Sequence, residues 1–126
     1  MVGLVIFVGA GLGGLARYVV SGWAQGATGA AFPWGTLLIN VTGSLLLTLV
    51  YGTLEGVPAA PEWRAFLGIG VLGGYTTFST FSHEAVRLLL DGEWERASLY
   101  VLGSVILSLA GALVGLRLAS ALLRRG

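Results

Sequence analysis

Residues Ala65 to His83 read AFLGIGVLGGYTTFSTFSH, without a charged side chain from end to end. Apolar, charge-free runs of about 18 residues or more are long enough to cross a bilayer as a helix. This one carries an internal contradiction. Gly73-Gly74 sits at its centre, and Thr76, Thr77, Ser79, Thr80 and Ser82 crowd the positions that follow. A few hydroxyls are cheap in a membrane helix because they bond back to their own carbonyls. A dense group behind paired glycines predicts a broken helix. Free backbone groups at membrane depth are tolerated only inside protein or along a polar cavity. A kinked packing helix is the plainer alternative.

Outward from this run the pattern repeats. Tyr18 to Leu54 and Ala97 to Leu116 are also free of charge. The chain has 126 residues, 56% hydrophobic and 10% charged, where soluble domains are nearer a quarter charged. The expectation is an all-α membrane protein. It forms a single domain over 1–126, with four spans at about 2–23, 34–54, 64–90 and 97–122 and the third broken mid-membrane. Trp23, Trp34, Trp63 and Trp94 all fall at span ends, where an indole's apolar body and polar N–H suit the interface. Met1-Val2-Gly3-Leu4 lacks the basic start of a signal peptide, so the first span reads as a retained helix. A net charge of +1 gives no reason to expect a nucleic-acid partner, and the absence of cysteine excludes disulfides and thiolate metal sites.

Orientation does not resolve. With four spans, Arg64, Arg117, Arg124 and Arg125 lie toward one side and Arg17, Arg87 and Arg96 toward the other. The positive-inside rule needs a clear excess. Either the tail arginines decide a single orientation, or the chain inserts both ways and pairs with an inverted copy.

Three pattern matches lose their usual meaning here. Gly9-Ala10-Gly11-Leu12-Gly13-Gly14 fits a dinucleotide fingerprint but lies in a membrane helix rather than after a strand. Asn40-Val41-Thr42 fits a glycosylation acceptor but lies mid-span. The pairs Gly9/Gly13, Gly70/Gly74 and Gly111/Gly115 read as close helix packing.

The candidate site is built from dipoles. Phe78 and Phe81, three apart, share a helix face. A ring edge is electropositive and can meet an anion; lipid contact or core filling is the alternative. Asn40 is the only carboxamide inside a span. Its N–H₂ is a donor to an anion or to another helix. Tyr100, Ser104 and Ser108 form a hydroxyl stripe at i, i+4, i+8, with Ser79, Thr80 and Asn40 expected opposite. Arg17 can snorkel, cap a helix or raise the potential of a vestibule. Glu84, one turn past the Phe pair, can line the pathway. Nothing pairs with His83 as a metal site.

These residues together resemble the fluoride channel family called Fluc or CrcB. The matching pieces are Gly13-Gly14-x-x-Arg17-Tyr18, Gly35-Thr36-Leu37-x-x-Asn40-x-x-Gly43-Ser44, the run Gly73 to Ser82 with Glu84, and the Tyr100, Ser104, Ser108 stripe. The resemblance implies a channel rather than an enzyme. It implies a multi-pass inner-membrane protein, an antiparallel dual-topology homodimer, and passive export of fluoride from the cytoplasm. It also implies a structural sodium ion on the dimer axis, held by the carbonyls of Gly73 and Thr76 from each copy. A small multidrug exporter is the main rival, but those resemble one another in a first-span glutamate, and this chain has no carboxylate before Glu55. A non-conducting assembly subunit would need neither the intramembrane amide nor the hydroxyl stripe.

Overall fold

A computed structural model describes residues 1–55, 57–58 and 60–124, the side chain of Ala60 excepted. Arg125 and Gly126, counted above with the tail, lie outside the described residues. Among the described residues, three helices are long and apolar enough to cross a membrane: α1 (Val2–Thr28), α2 (Trp34–Thr53) and α6 (Trp94–Leu123). Between α2 and α6 the chain is helical but divided. It runs through α3 (Ala60–Trp63), a π-helical segment (Arg64–Leu72), α4 (Gly73–Tyr75) and α5 (Phe78–Leu90).

Each boundary has a local cause. The first helix outruns its expected end and stops where Gly29 takes φ 84°, a left-handed conformation that costs glycine little. Gln25 Nε2 ties the turn down by donating to the carbonyls of Gly29 (2.6 Å) and Phe32 (3.2 Å). Pro33 then stands before the first turn of α2. The last helix begins at Trp94, three residues earlier than the charge pattern indicates, with Glu95 in its first turn suiting the positive end of the helix dipole.

Packing follows the small residues. The most extensive contact is α2 along α6, and α1 lies along the π segment and α4. All three glycine pairs sit at these contacts. A Cβ at Gly9 would come within 2.7 Å of the Phe66 carbonyl, and one at Gly111 within 2.9 Å of the Val41 carbonyl. Gly13, Gly70, Gly74 and Gly115 meet neighbouring backbone as closely. Helices in lipid gain little from burying apolar area against each other, so close backbone approach supplies the contact energy. Among the described residues, only Tyr100 and Ile39 are large side chains buried completely. Phe7, Leu15, Leu102, Ile106, Leu109 and Leu113 all point outward and exposed, the surface of a protein whose solvent is lipid.

The break differs from the sequence reading. The helix continues through Gly73-Gly74 and ends at Thr76 (φ −77°, ψ 158°) and Thr77 (φ −152°, ψ 121°), both extended. Glycine permits a break without requiring one; Gly74 instead lets the chain approach the backbone of Ala10. The π segment was not legible either. Its widened turn leaves room at Gly68, where the ring of Tyr51 packs.

The packing can be tested at Gly13, where a methyl group would overlap the Val71 carbonyl. Gly13→Ala is expected to lower stability by at least about 1–3 kcal/mol, the usual cost of overpacking. Gly26→Ala, whose Cβ would meet nothing within 4 Å, should be tolerated. Thermal unfolding of both variants in detergent checks this; equal midpoints would mean that α1 does not depend on close approach.

Candidate functional site

The extended pair Thr76-Thr77 leaves backbone groups that a continuous helix would have paired, and side chains take them up. Asn40, midway along α2, donates from Nδ2 to the Thr77 carbonyl (2.9 Å) and accepts the Thr77 N–H at Oδ1 (3.0 Å). One carboxamide thus closes both halves of one peptide residue. Thr77 also caps α5, its Oγ1 accepting from the Thr80 N–H at 3.2 Å, the usual service of a threonine at a helix start.

Beside this clamp lies a cleft of about 270 Å³. Asn40 and Ser44 line it from α2, Phe78 and Phe81 from α5, and Ser104 and Ser108 from α6. Among the described residues, no ionisable side chain lines it. The rings of Phe78 and Phe81 are 5.5 Å apart between centroids. Ser104 is buried, and its hydroxyl has no hydrogen-bond partner. A buried hydroxyl without a partner costs free energy, and here it lines a cavity where a small ligand can supply one. The second Asn40 amide hydrogen remains after the clamp is made.

Tyr100 stands just beyond the cleft, fully buried, with its ring 5.3 Å from that of Phe81. Its hydroxyl donates to Glu84 Oε2 at 2.6 Å, and Thr36 Oγ1 donates to Glu84 Oε1 at 3.1 Å. In this arrangement the Tyr100 proton serves Glu84, so the free donors of the stripe are its serines. Thr36 stands in one of the matching motifs but was given no role from the sequence. Its signal was present: it lies one turn before Asn40 on the same face of α2. Ser44 was likewise given no role, and its hydroxyl bonds back to the Asn40 carbonyl at 2.7 Å.

Other expected residues lie elsewhere. Ser79 and Thr80 do not face the serine stripe. Thr80 accepts from the Thr77 hydroxyl (3.0 Å) and lines a separate cavity of about 510 Å³ together with Arg17, Tyr18 and Thr36. Ser79 is exposed, its hydroxyl 3.4 Å from that of Thr77. A helix turns about 100° per residue, so neighbours of Phe78 and Phe81 leave their face. Arg17 Nη1 reaches the Thr76 carbonyl at 3.4 Å. His83 shares a cavity of about 370 Å³ with Glu84, Arg87 and Asp91. Among the described residues no cluster of acidic, histidine or cysteine side chains could hold a metal.

The carbonyls of Gly73 and Thr76 form a different kind of donor set. The Thr77 N–H, which would close a turn onto Gly73, goes to Asn40 instead. That carbonyl therefore loses its helical donor, and Gly73 is exposed on the chain. Neutral carbonyl oxygens suit a hard cation, so the Gly73 oxygen fits such a role; the Thr76 oxygen is shared with Arg17.

Long apolar helices, a broken segment between them and a charge-free polar cleft at the break define a multi-pass membrane protein built to pass or hold a small solute. The comparisons with known proteins agree. Residues 4–116 match the family model described as CrcB-like protein, Camphor Resistance (CrcB), and the chain belongs to that family. It is 48% identical over 120 residues to the fluoride-specific ion channel FluC of Thermus thermophilus, covering 94% of each chain. It is 51% identical over 111 residues to the protein of that name in Methylobacterium nodulans, covering 86% of this chain and 87% of the relative. The FluC of Geobacter sulfurreducens is 47% identical over 114 residues, covering 90% and 92%.

Asn40→Leu should leave the Thr77 N–H and C=O unpaired, at about 1–3 kcal/mol for each orphaned group. The expected result is a lowered unfolding temperature and loss of hydrogen-exchange protection at the Thr77 amide. Unchanged protection would mean that something other than Asn40 holds the break.

Proposed function

We propose that this chain is a passive, fluoride-selective channel that exports fluoride from the cytoplasm across the inner membrane and works as an antiparallel homodimer. The observation that carries the reading is the cleft at the break: two aromatic rings, an unpartnered buried serine hydroxyl and a carboxamide, with no ionisable side chain among them. Fluoride is small and tightly hydrated, so a pathway must replace water with donors without binding so strongly that the ion stays. Ser104, Ser108 and the remaining Asn40 N–H are neutral donors, and the edges of Phe78 and Phe81 carry positive partial charge. A carboxylate in the cleft would repel the ion and an arginine would hold it. Arg17, in the neighbouring cavity, raises the potential for an approaching anion. The names of the relatives support fluoride as the ion.

Two features support the paired assembly. Phe78 is 78% exposed on the isolated chain although it lines the cleft, so a second copy would complete that wall. The arginines are also split almost evenly between the two sides, so neither insertion is strongly preferred. In this reading the divided segment Ala60–Leu90 is the fourth crossing. A sodium ion between two copies would take the Gly73 and Thr76 carbonyls of each, and when bound it would neutralise dipoles that are costly to bury unpaired.

Liposomes containing the purified protein should release fluoride to an electrode far faster than chloride. Phe81→Ile keeps bulk but removes the ring quadrupole, and is expected to cut fluoride efflux about tenfold, equivalent to about 1.4 kcal/mol in barrier. Ser104→Ala should be milder because Ser108 remains. No fluoride release from wild-type vesicles would end the channel reading. Full release in Phe81→Ile would remove the ring from the pathway.

Assembly is tested separately. C-terminal reporters active on each side of the membrane should both report in one cell population. A single active reporter would exclude dual insertion.

A further inference from the structure

Tyr100 separates two cavities. Its ring packs on Phe81, which lines the cleft of about 270 Å³, and its hydroxyl meets Glu84, which lines the cavity of about 370 Å³. In the fluoride-channel reading, an ion moving from one to the other would pass this ring. Phe81 and Glu84, which hold it, come from α5, and Leu37 and Ala85 are buried with it. Phe32 meets it from outside the helices, ring to ring in a T-shape at 5.6 Å and 86°.

Phe32 belongs to the connection between α1 and α2, not to a helix. Trp34 backs its ring at 4.7 Å, and the Trp34 N–H donates to the Phe32 carbonyl at 2.8 Å. The remaining anchor is Gln25, whose single amide nitrogen reaches the Gly29 and Phe32 carbonyls together. A helix residue is held by its hydrogen-bond ladder; Phe32 is held instead by Trp34 and, through its carbonyl, by one side chain from α1.

We infer that Phe32 is a positioning residue for Tyr100 and that Gln25 is the latch that keeps it there, so that the α1–α2 connection sets the ring at the junction of the two cavities. The inference rests on the fluoride-channel reading for its effect on transport, but not for its effect on Tyr100 itself. A T-shaped pair contributes beyond simple burial. Without it the Tyr100 ring keeps Phe81 as its aromatic neighbour but loses the edge contact that fixes its tilt at the junction.

The test uses the full-length protein in liposomes and two readouts. In fluorotyrosine-labelled protein, the fluorine NMR resonance of Tyr100 is assigned by its loss in Tyr100→Phe. Gln25→Leu, which removes only the bonds to the Gly29 and Phe32 carbonyls, should shift or broaden that resonance. Phe32→Leu should do so more strongly. Fluoride efflux should fall roughly two- to tenfold in Phe32→Leu, the rate equivalent of losing one aromatic pair, with a changed ratio of fluoride to chloride. Phe32→Tyr, which keeps the ring, should stay near wild type, as should the lipid-facing Phe7→Leu. An unmoved Tyr100 resonance in Gln25→Leu overturns the latch, and it remains decisive if Phe32→Leu fails to fold. Equal losses in Phe32→Leu and Phe32→Tyr overturn the positioning role. If wild-type vesicles release no fluoride but the resonance moves, the positioning stands and the transport reading falls.

Discussion

A backbone interrupted at membrane depth has no water to repair it, and the pair of hydrogen bonds between Asn40 and Thr77 is what makes the interruption sustainable here. Unpaired amides and carbonyls in lipid cost several kcal/mol each. One carboxamide removes two of those costs at once. The clamp also ties α2 to the start of α5, so the cleft between them keeps a defined width. Without it, Thr77 would have no reason to be extended, α5 would continue α4, and the rings of Phe78 and Phe81 would turn to other faces.

The same clamp creates the site's chemistry by subtraction. Drawing the Thr77 N–H toward Asn40 deprives the Gly73 carbonyl of its helical donor, at a residue exposed on the chain. On the other side of the break, the Thr77 hydroxyl is taken by the cap of α5 and by Thr80. Donors left over for a ligand are therefore few, and Ser104 is the clearest. A pathway that passes a strongly hydrated ion needs a small number of unspent neutral donors, since many would hold it and none would admit it.

Small residues make this geometry affordable elsewhere. The glycine pairs bring α1 against the π segment and α4, and α2 against α6, closely enough that backbone faces backbone. The scaffold is thereby narrow and stiff, with almost no bulky core of its own; its outward leucines and phenylalanines rely on lipid. Tyr100 is the exception, a large ring buried completely at the end of the cleft and tied to Glu84 and Phe32.

The sequence by itself determined that the chain is a membrane protein. Charge-free runs and boundary tryptophans are one-dimensional signals, because the bilayer imposes a length and a polarity profile that any crossing helix must match. It also marked the glycine pairs, the Phe pair and Asn40, since residues that are costly or unusual in lipid stand out against leucine and valine. Which helix Asn40 serves, and where the break falls, only the tertiary structure decided. Gly73-Gly74 looked like the weak point, yet a helix breaks where another element captures its backbone groups, and that capture comes from α2, nearly forty residues away in the chain. For the same reason Ser79 and Thr80 were read beside the serine stripe, whereas Thr80 lines another cavity and Ser79 is exposed: where this face of α5 points depends on the rotation that the extended pair Thr76-Thr77 introduces, an angle set by packing between helices.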